Sequence, residues 1–311
     1  MTAYTRPLAL IDALKPAAAE LELAAAISAP GANLTLLDVI PDQGWTWNLL
    51  GRKADEIRNK LEAEKLLAID KLAKDHAAAT GLSVSSKLNS GKTALAVIKQ
   101  VLAGKHDLAL LQAKGPHSRR TGGIGDTGWE LLRKCPCNVL LLGQQPSGAI
   151  PKKILVSLDA AAEDPRHIAL NRKIFAAAAS LAIKLNASLT AIHCWAIYGE
   201  TLVRDYMSAA EFRDIEDATR ALGEKGLQSL CAELTHKPKE IHLKLLRGLP
   251  NSEIPGFANE NQFDLVVMGT VARQGISGAL LVNTAEEVLP QLHGSILAIK
   301  PDDFVCPVSE K

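Results

Sequence analysis

Two stretches of this chain repeat the same plan of apolar and polar residues at one fixed spacing, and that repeat limits the possible folds more than any other feature. The first, DLALLQAKGPHSRRTGGIGDTGWELLRKCPCNVLLL, runs from Asp107 to Leu142. The second, DLVVMGTVARQGISGALLVNTAEEVLPQLHGSILAI, runs from Asp264 to Ile299. Both open on Asp-Leu and an apolar run, both close on an apolar run, and matched positions stand 157 residues apart with no gap. Gly91 and Gly248 keep that offset. Asp12 and Asp159, which end the short apolar runs PLALID and ILVSLD, are 147 apart, so the second copy carries ten extra residues upstream of Gly248. A period this long signals duplicated domains rather than a solenoid. A chain of 311 residues also exceeds the size at which one core usually keeps growing.

Within each copy, short apolar runs alternate with alanine-rich or charged helical stretches. Strands are expected near 7–11, 33–38, 83–88, 107–112 and 138–142, and again at 153–158, 188–194, 240–246, 264–269 and 295–299. Helices are expected at 167–185, 208–235, 251–260 and 282–291, with counterparts in the first copy. Continuous apolar runs such as ILVSL and LVVMG suit a parallel sheet covered on both faces. The fold class is therefore α/β: two tandem, doubly wound, Rossmann-like domains with five-stranded, mainly parallel sheets. The expected boundaries are 1–146 for the first domain and 151–311, tail included, for the second. The linker lies around 143–151 and ends at Pro151. Ligands of such sheets sit beyond the carboxyl ends of the strands, near the point where strand order reverses. That rule selects Asp12 and Asp159, Gly91 and Gly248, and the loops beginning at Gln112 and Gly269.

Hydrophobic residues make up 47% of the chain and aromatics only 4%, so aliphatic side chains must fill most of the core. Thirty-five basic residues against 34 acidic ones give no general attraction to nucleic acid or to an anionic membrane. No apolar run approaches the roughly 20 residues a membrane-crossing helix needs, and Asp12 interrupts the apolar N-terminal patch where a signal peptide would continue. Five cysteines, odd in number and unevenly spaced, do not form a secreted disulfide framework. A cytoplasmic protein is expected. Cys135 and Cys137 read as small thiols at a strand start.

The run DLVVMGTVARQGISGALLVNTAEEVL, with ILVSLDAA before it and SILAIKP after it, resembles the universal stress protein family. The first half resembles it more weakly, so the whole is similar to tandem, two-domain members, whose fold is of the adenine-nucleotide α-hydrolase-like type. In nucleotide-binding members the fourth strand is followed by Gly-x-x-Gly, nine residues and Gly-Ser or Gly-Thr. Glycines let backbone amides approach phosphates at a helix N-terminus, and an acidic residue after the first strand helps hold adenosine. The resemblance places Gly269, Ala272, Val282 and Asn283 on this motif in the second domain, with Asp159 at the acidic position and Arg273 as a source of positive charge. It places Gln112, Gly115, Gly125 and Asp126 there in the first domain, with Asp12 at the acidic position. Both loops depart from the pattern. Val282 crowds the phosphate approach, and Asp126 sets a carboxylate against it.

Besides a purely structural interaction module, two readings of function stay open on this basis. In one, the chain is a stress-response protein that binds a small molecule or a partner without turnover, through degenerate nucleotide loops; the ligand is anionic or lipid-like. In the other, ATP or another adenine nucleotide binds with Mg, and weak hydrolysis centres on Asp159, Gly269 and Asn283. Asn283 and Asp126 also read as ordinary helix N-caps. The resemblance further implies pairing of the last strands, 138–142 with 295–299, as an intramolecular pseudo-dimer, with a homodimer of the whole chain as a further state.

Other motifs carry less. Ser90-Gly91-Lys92-Thr93 matches only the end of a P-loop, because position 86 is Ser rather than Gly; Lys92 remains a residue that faces the first cleft. His193, Cys194, Cys231, His236 and His242 have zinc-compatible chemistry but no zinc-site spacing. The stretch 51–79 reads as an amphipathic helix packed through Ile57, Leu61, Leu66 or Leu67, and Leu72. Trp45 and Trp47, and Tyr198, Tyr206 and Met207, fall in connections after second strands and are available for a lipid-like or protein contact. Cys306, in the tail, reads as an anchor for a segment that folds back.

Overall fold

The computed structural model describes residues 3–41, 53–114, 123–143, 150–270 and 284–309. They form two compact units: Ala3–Ile150 together with the tail from Asp303, and Pro151–Asp302.

In the first unit the elements run β1 (Pro7–Leu10), α1 (Ala18–Ile27), β2 (Asn33–Pro41), α2 (Ala54–Thr80), β3 (Ser83–Gly91), α3 (Thr93–Gly104), β4 (Leu108–Gln112), α4 (Asp126–Lys134) and β5 (Asn138–Leu142). The sheet order is β3-β2-β1-β4-β5, and each adjacent pair is parallel. Strand order reverses at β1, so the crevice predicted for ligands opens beyond the carboxyl ends of β1 and β4.

The second unit repeats the plan with β6 (Lys153–Ser157), α5 (Pro165–Leu185), β7 (Ser188–Trp195), α6 (Glu200–Tyr206), α7 (Ala209–Ala232), β8 (Ile241–Arg247), α8 (Pro250–Glu260), β9 (Leu265–Gly269), α9 (Thr284–Val288) and β10 (Ser295–Ile299). Its order is β8-β7-β6-β9-β10, again with parallel pairs.

The strands form where the apolar runs predicted them. Leu108–Leu111, Leu265–Met268 and Ile296–Ile299 are buried in unbroken runs, as strands covered on both faces must be. β3 differs: its sequence SVSSKLNSG alternates exposed and half-buried positions over its first half, the pattern of a strand with one face in water. Helix α5 begins with Pro165 behind Asp164, whose side chain accepts from the His167 N–H, and ends at Asn186 in the left-handed region. It buries Phe175 at 1% exposure, a side chain worth about 1.5–3 kcal/mol on burial.

Helix α7 starts with a reciprocal cap: Ser208 Oγ accepts from the Glu211 N–H at 3.3 Å, and Glu211 Oε2 accepts from the Ser208 N–H at 2.8 Å. Replacing Ser208 with Ala is expected to cost about 1 kcal/mol. Urea unfolding checks this, and a shift of the midpoint with no change in slope is the expected result.

Helix α2 corrects the sequence reading. Ile57, Leu66 and Leu67 face solvent, the last at 73% exposure. The row against the sheet is instead Lys65, Ile69 and Ala73, spaced four apart. The helix has turned a lysine inward and two leucines outward. The stretch expected as one helix over 208–235 is preceded by a separate short helix, α6, with no buried residue.

Candidate functional site

The loop after β1 carries Asp12, and the loop after β6 carries Asp159. The two units hold these loops alike. The Ile11 N–H donates to the Leu37 carbonyl at 2.9 Å, and the Leu158 N–H donates to the Ile192 carbonyl at 3.0 Å. In register, Leu8 faces Thr35 and Leu155 faces Thr190. Three residues on along each second strand stand Asp38 and His193, which are therefore structural counterparts. Asp38 Oδ2 accepts from the Ala13 N–H at 2.8 Å, while His193 Nδ1 lies 3.2 Å from the Ala160 nitrogen.

Around this common frame the chemistry diverges. In the first unit, Lys65 Nζ sits 2.7 Å from Asp12 Oδ1 and 2.7 Å from Asp38 Oδ2, and its side chain is only 10% exposed. Lys15 reaches the other oxygen of Asp12 at 3.2 Å, and the Leu14 N–H donates to Oδ1 at 3.3 Å. Burial pushes the Asp12 carboxyl up, but the hydrogen bonds from Lys65 and Lys15 outweigh it, and its pKa falls below the ordinary value. Burial likewise pushes the Lys65 ammonium down, and the two carboxylates outweigh that, leaving its pKa raised.

In the second unit no ammonium enters among the described residues. The α7 residue next to the His193 ring is Gly223: a Cβ there would stand 2.5 Å from His193 Cδ2 and 3.4 Å from a Leu245 methyl. The ring is buried at 6% exposure. Its Nδ1 lies 3.2 Å from both the Ala160 nitrogen and the Leu158 carbonyl oxygen, so a bare Nδ1 accepts from the first and a protonated one donates to the second. Asn171 of α5 clamps the loop backbone, accepting from the Asp159 N–H at 3.1 Å and donating to its carbonyl at 2.7 Å. The Asp159 side chain is exposed. Among the described residues its carboxylate has no hydrogen-bond or ion-pair partner.

The glycines selected from the sequence divide by role. Gly91 and Gly248 have φ of +115° and +144°, backbone that glycine alone adopts readily, and they turn the chain out of β3 and β8. A Cβ on Gly248 would also strike the Glu253 carboxylate at 2.5 Å. At Gly269 the Cβ position faces Ile174 and Leu170 of α5 at 3.1 and 3.2 Å, so this glycine serves close helix–sheet packing. Gly125 is the N-cap of α4 and donates its N–H to the Ala113 carbonyl at 2.8 Å. Asp126, expected as that cap, is the first helical residue instead. Arg273 and Asn283 of the second fourth-strand loop, with Val282 and Ala272, and Gly115 of the first, lie outside the described residues, as do Trp45 and Trp47.

Lys92, read from the sequence as facing the first cleft, has its Nζ 2.9 Å from Glu130 Oε1, which Lys134 also reaches at 3.0 Å. Among the described residues no three His, Cys, Asp or Glu side chains come together to hold a metal. Cys135 and Cys137 are buried with their sulfurs 3.5 Å apart, and the Cys137 thiol is pushed up by the hydrogen bond from Cys135 and by burial. Burial, with the Glu253 carboxylate, raises the Cys194 thiol to about 12. These thiols are poor nucleophiles. Tyr198, Tyr206 and Met207 are exposed, Tyr198 completely. A groove of about 460 Å³ opens between α7 and β8, floored by Leu227, Leu243 and Leu245 and rimmed by Glu216, Arg220 and Arg247.

Sequence reasoning found Asp12 and Asp159 but not Asp38, Lys65, Gly223 or Asn171. It met His193 only as a metal candidate.

The family model "Universal stress protein family" matches residues 4–143 and again 152–300. The chain belongs to the universal stress protein family. It is 37% identical over 217 residues to Universal stress protein E of Salmonella typhi, and 37% identical over 218 residues to that of Escherichia coli K12. Each match covers 68% of this chain and 66% of the relative's own length. Among solved structures, a functionally unknown protein of Pseudomonas aeruginosa PAO1 aligns with a TM-score of 0.68 at 24% identity, covering 97% of this chain and 94% of the other. A universal stress protein of Archaeoglobus fulgidus aligns with a TM-score of 0.62 at 15% identity, covering 97% of each. These likenesses establish the tandem Rossmann-like fold of the universal stress proteins. No helix among the described residues is long and apolar enough to cross a membrane.

Proposed function

We propose that this universal stress protein acts in the cytoplasm as a small-molecule-binding protein without built-in turnover, and that the ligand enters the cleft of the second unit at Asp159. One observation carries the reading: the two matched carboxylates differ in availability. Asp12 is engaged by Lys65 and Lys15, whereas Asp159 is exposed, its backbone fixed by Asn171 and its oxygens turned to no cation among the described residues. A fixed, exposed carboxylate at the switch point of a wound sheet is suited to accept hydrogen bonds from ligand hydroxyls. An adenine nucleotide, whose ribose offers two, is the ligand class to test first.

The test uses the full chain. Mass spectrometry of the supernatant after denaturation identifies any small molecule that co-purifies, and calorimetric titration with ATP, with and without Mg, measures affinity. Asp159→Ala is expected to weaken binding at least tenfold and Asp12→Ala to leave it within about twofold. Equal affinity in wild type and Asp159→Ala, or a greater loss from Asp12→Ala, rejects the assignment. Release of phosphate that depends on Mg and on Asp159 would replace binding with hydrolysis.

A further inference from the structure

We infer that one position on the long second-layer helix, Lys65 in the first unit and Gly223 in the second, decides which of the two clefts admits a ligand. The inference rests on the binding role given to Asp159 and adds the residue that withholds that role from Asp12.

The equivalence of the two positions follows from the register. Asp38 and His193 occupy matched places on β2 and β7, and each meets the loop N–H of Ala13 or Ala160. The helix residue that meets Asp38 is Lys65; the one that meets His193 is Gly223. Four residues further along, Ile69 at 0% and Leu227 at 1% exposure seat each helix on its sheet. Lys65 and Gly223 therefore fill the same slot, beside the carboxyl end of the second strand and the loop after the first.

The two fillings have opposite consequences. Lys65 places an internal ammonium between Asp38 and Asp12, which is what a donor-bearing ligand would otherwise bring. A ligand hydroxyl reaching Asp12 must displace a cation that also neutralises the buried Asp38, and an uncompensated buried carboxylate is costly. In the second unit the imidazole of His193 fills the slot from the strand side, and it tolerates no side chain at 223. His193 supports the loop as Asp38 does, yet without a carboxylate it needs no ammonium. Asp159 is left for the ligand. Lys65 and Gly223 are thus positioning residues that act through the acid of their own unit.

Two exchange variants of the full chain test this, each copying a set of neighbours the fold already holds. Asp38→His with Lys65→Gly gives the first unit the second unit's pair; His193→Asp with Gly223→Lys does the reverse. Both are titrated with adenosine, which carries the ribose hydroxyls without phosphates, and circular dichroism confirms folding. The closed second unit is expected to lose adenosine affinity at least tenfold. The opened first unit, made in an Asp159→Ala background, is expected to regain one adenosine site, a gain that general damage does not produce. Unchanged affinity in the closed variant, or no regained site in the opened one while wild type binds, overturns the inference and leaves the assignment of Asp159 intact. If wild type takes up no adenosine but the opened variant does, the assignment of Asp159 fails and the gating by Lys65 stands. Absence of binding in both ends both.

Discussion

Lys65→Met is expected to lower the stability of the first unit by about 3–5 kcal/mol, because it removes one partner of a buried charge cluster and leaves Asp38 at 3% exposure without its cation. Methionine keeps most of the aliphatic stem, so little of the loss comes from packing. The pH dependence separates this effect from a simple cavity. Asp12 titrates below the ordinary 3.8 in the folded chain, so its contribution is present above that value and disappears as pH falls through the lowered pKa. Lys65 titrates above the ordinary 10.5, so its contribution is full below 10.5 and disappears as pH rises through the raised pKa. Urea unfolding followed across pH should therefore show wild type losing an advantage over Lys65→Met at both extremes. A difference that stays constant from acid to alkali contradicts the cluster as the cause.

Gly226→Val is the second substitution with a large expected effect. On α7 this glycine lies against the carbonyl of Ala160, and a Cβ there would press into the Ala160 oxygen within contact distance. The obstacle is backbone, which cannot rotate away as a side chain can, so either the helix or the loop after β6 must move. Overpacking of this kind costs about 1–3 kcal/mol. Because that loop carries Asp159, the displacement should also reduce ligand affinity at least tenfold. The same titration used for Asp159→Ala measures it, together with the unfolding midpoint. Full stability with full affinity would show that the loop is not held by the helix at this point. Val exchanged for a more exposed neighbour, Leu222 at 54% exposure, should change neither.

Much of the architecture was legible because it depends on periodicity. ILVSL, LVVMG and SILAI are apolar without interruption, and such runs bounded by turns have few places to go other than a doubly covered sheet. The constant offset from Asp107 to Ile299 made the duplication plain, and the end-of-strand rule found both acids. The inner charge of the first cleft was not read, for a physical reason. A lysine amid Glu62, Glu64 and Asp70 looks like part of a solvated face, and Leu66 and Leu67 look like the buried one. Burial of Lys65 depends on Asp12 and Asp38, residues 53 and 27 positions away, and helix periodicity holds no information about them. A signal did exist: PLALID and TLLD each end an apolar run in aspartate, and two carboxylates at the ends of neighbouring parallel strands call for a cation. Gly223 was equally silent, since the slot of a missing side chain is visible only from the ring that fills it. The extra helix α6 escaped because its apolar residues, Leu202 at 65% and Tyr206 at 88% exposure, leave no buried stripe to detect.

The tail gives the first unit an unusual boundary. After Lys173 anchors Asp302 by an ion pair of 2.5 Å, the chain leaves the second unit and runs back to the first, where the Cys306 thiol donates to the Lys134 carbonyl at the end of α4 at 3.2 Å. Half of the molecule is thus assembled from discontinuous sequence. A ribosome makes this strap only after the whole second unit, so the first unit cannot be finished before the second has been synthesised. Cutting the gene at the linker would yield one fragment with a bare helix end and another with a loose strap.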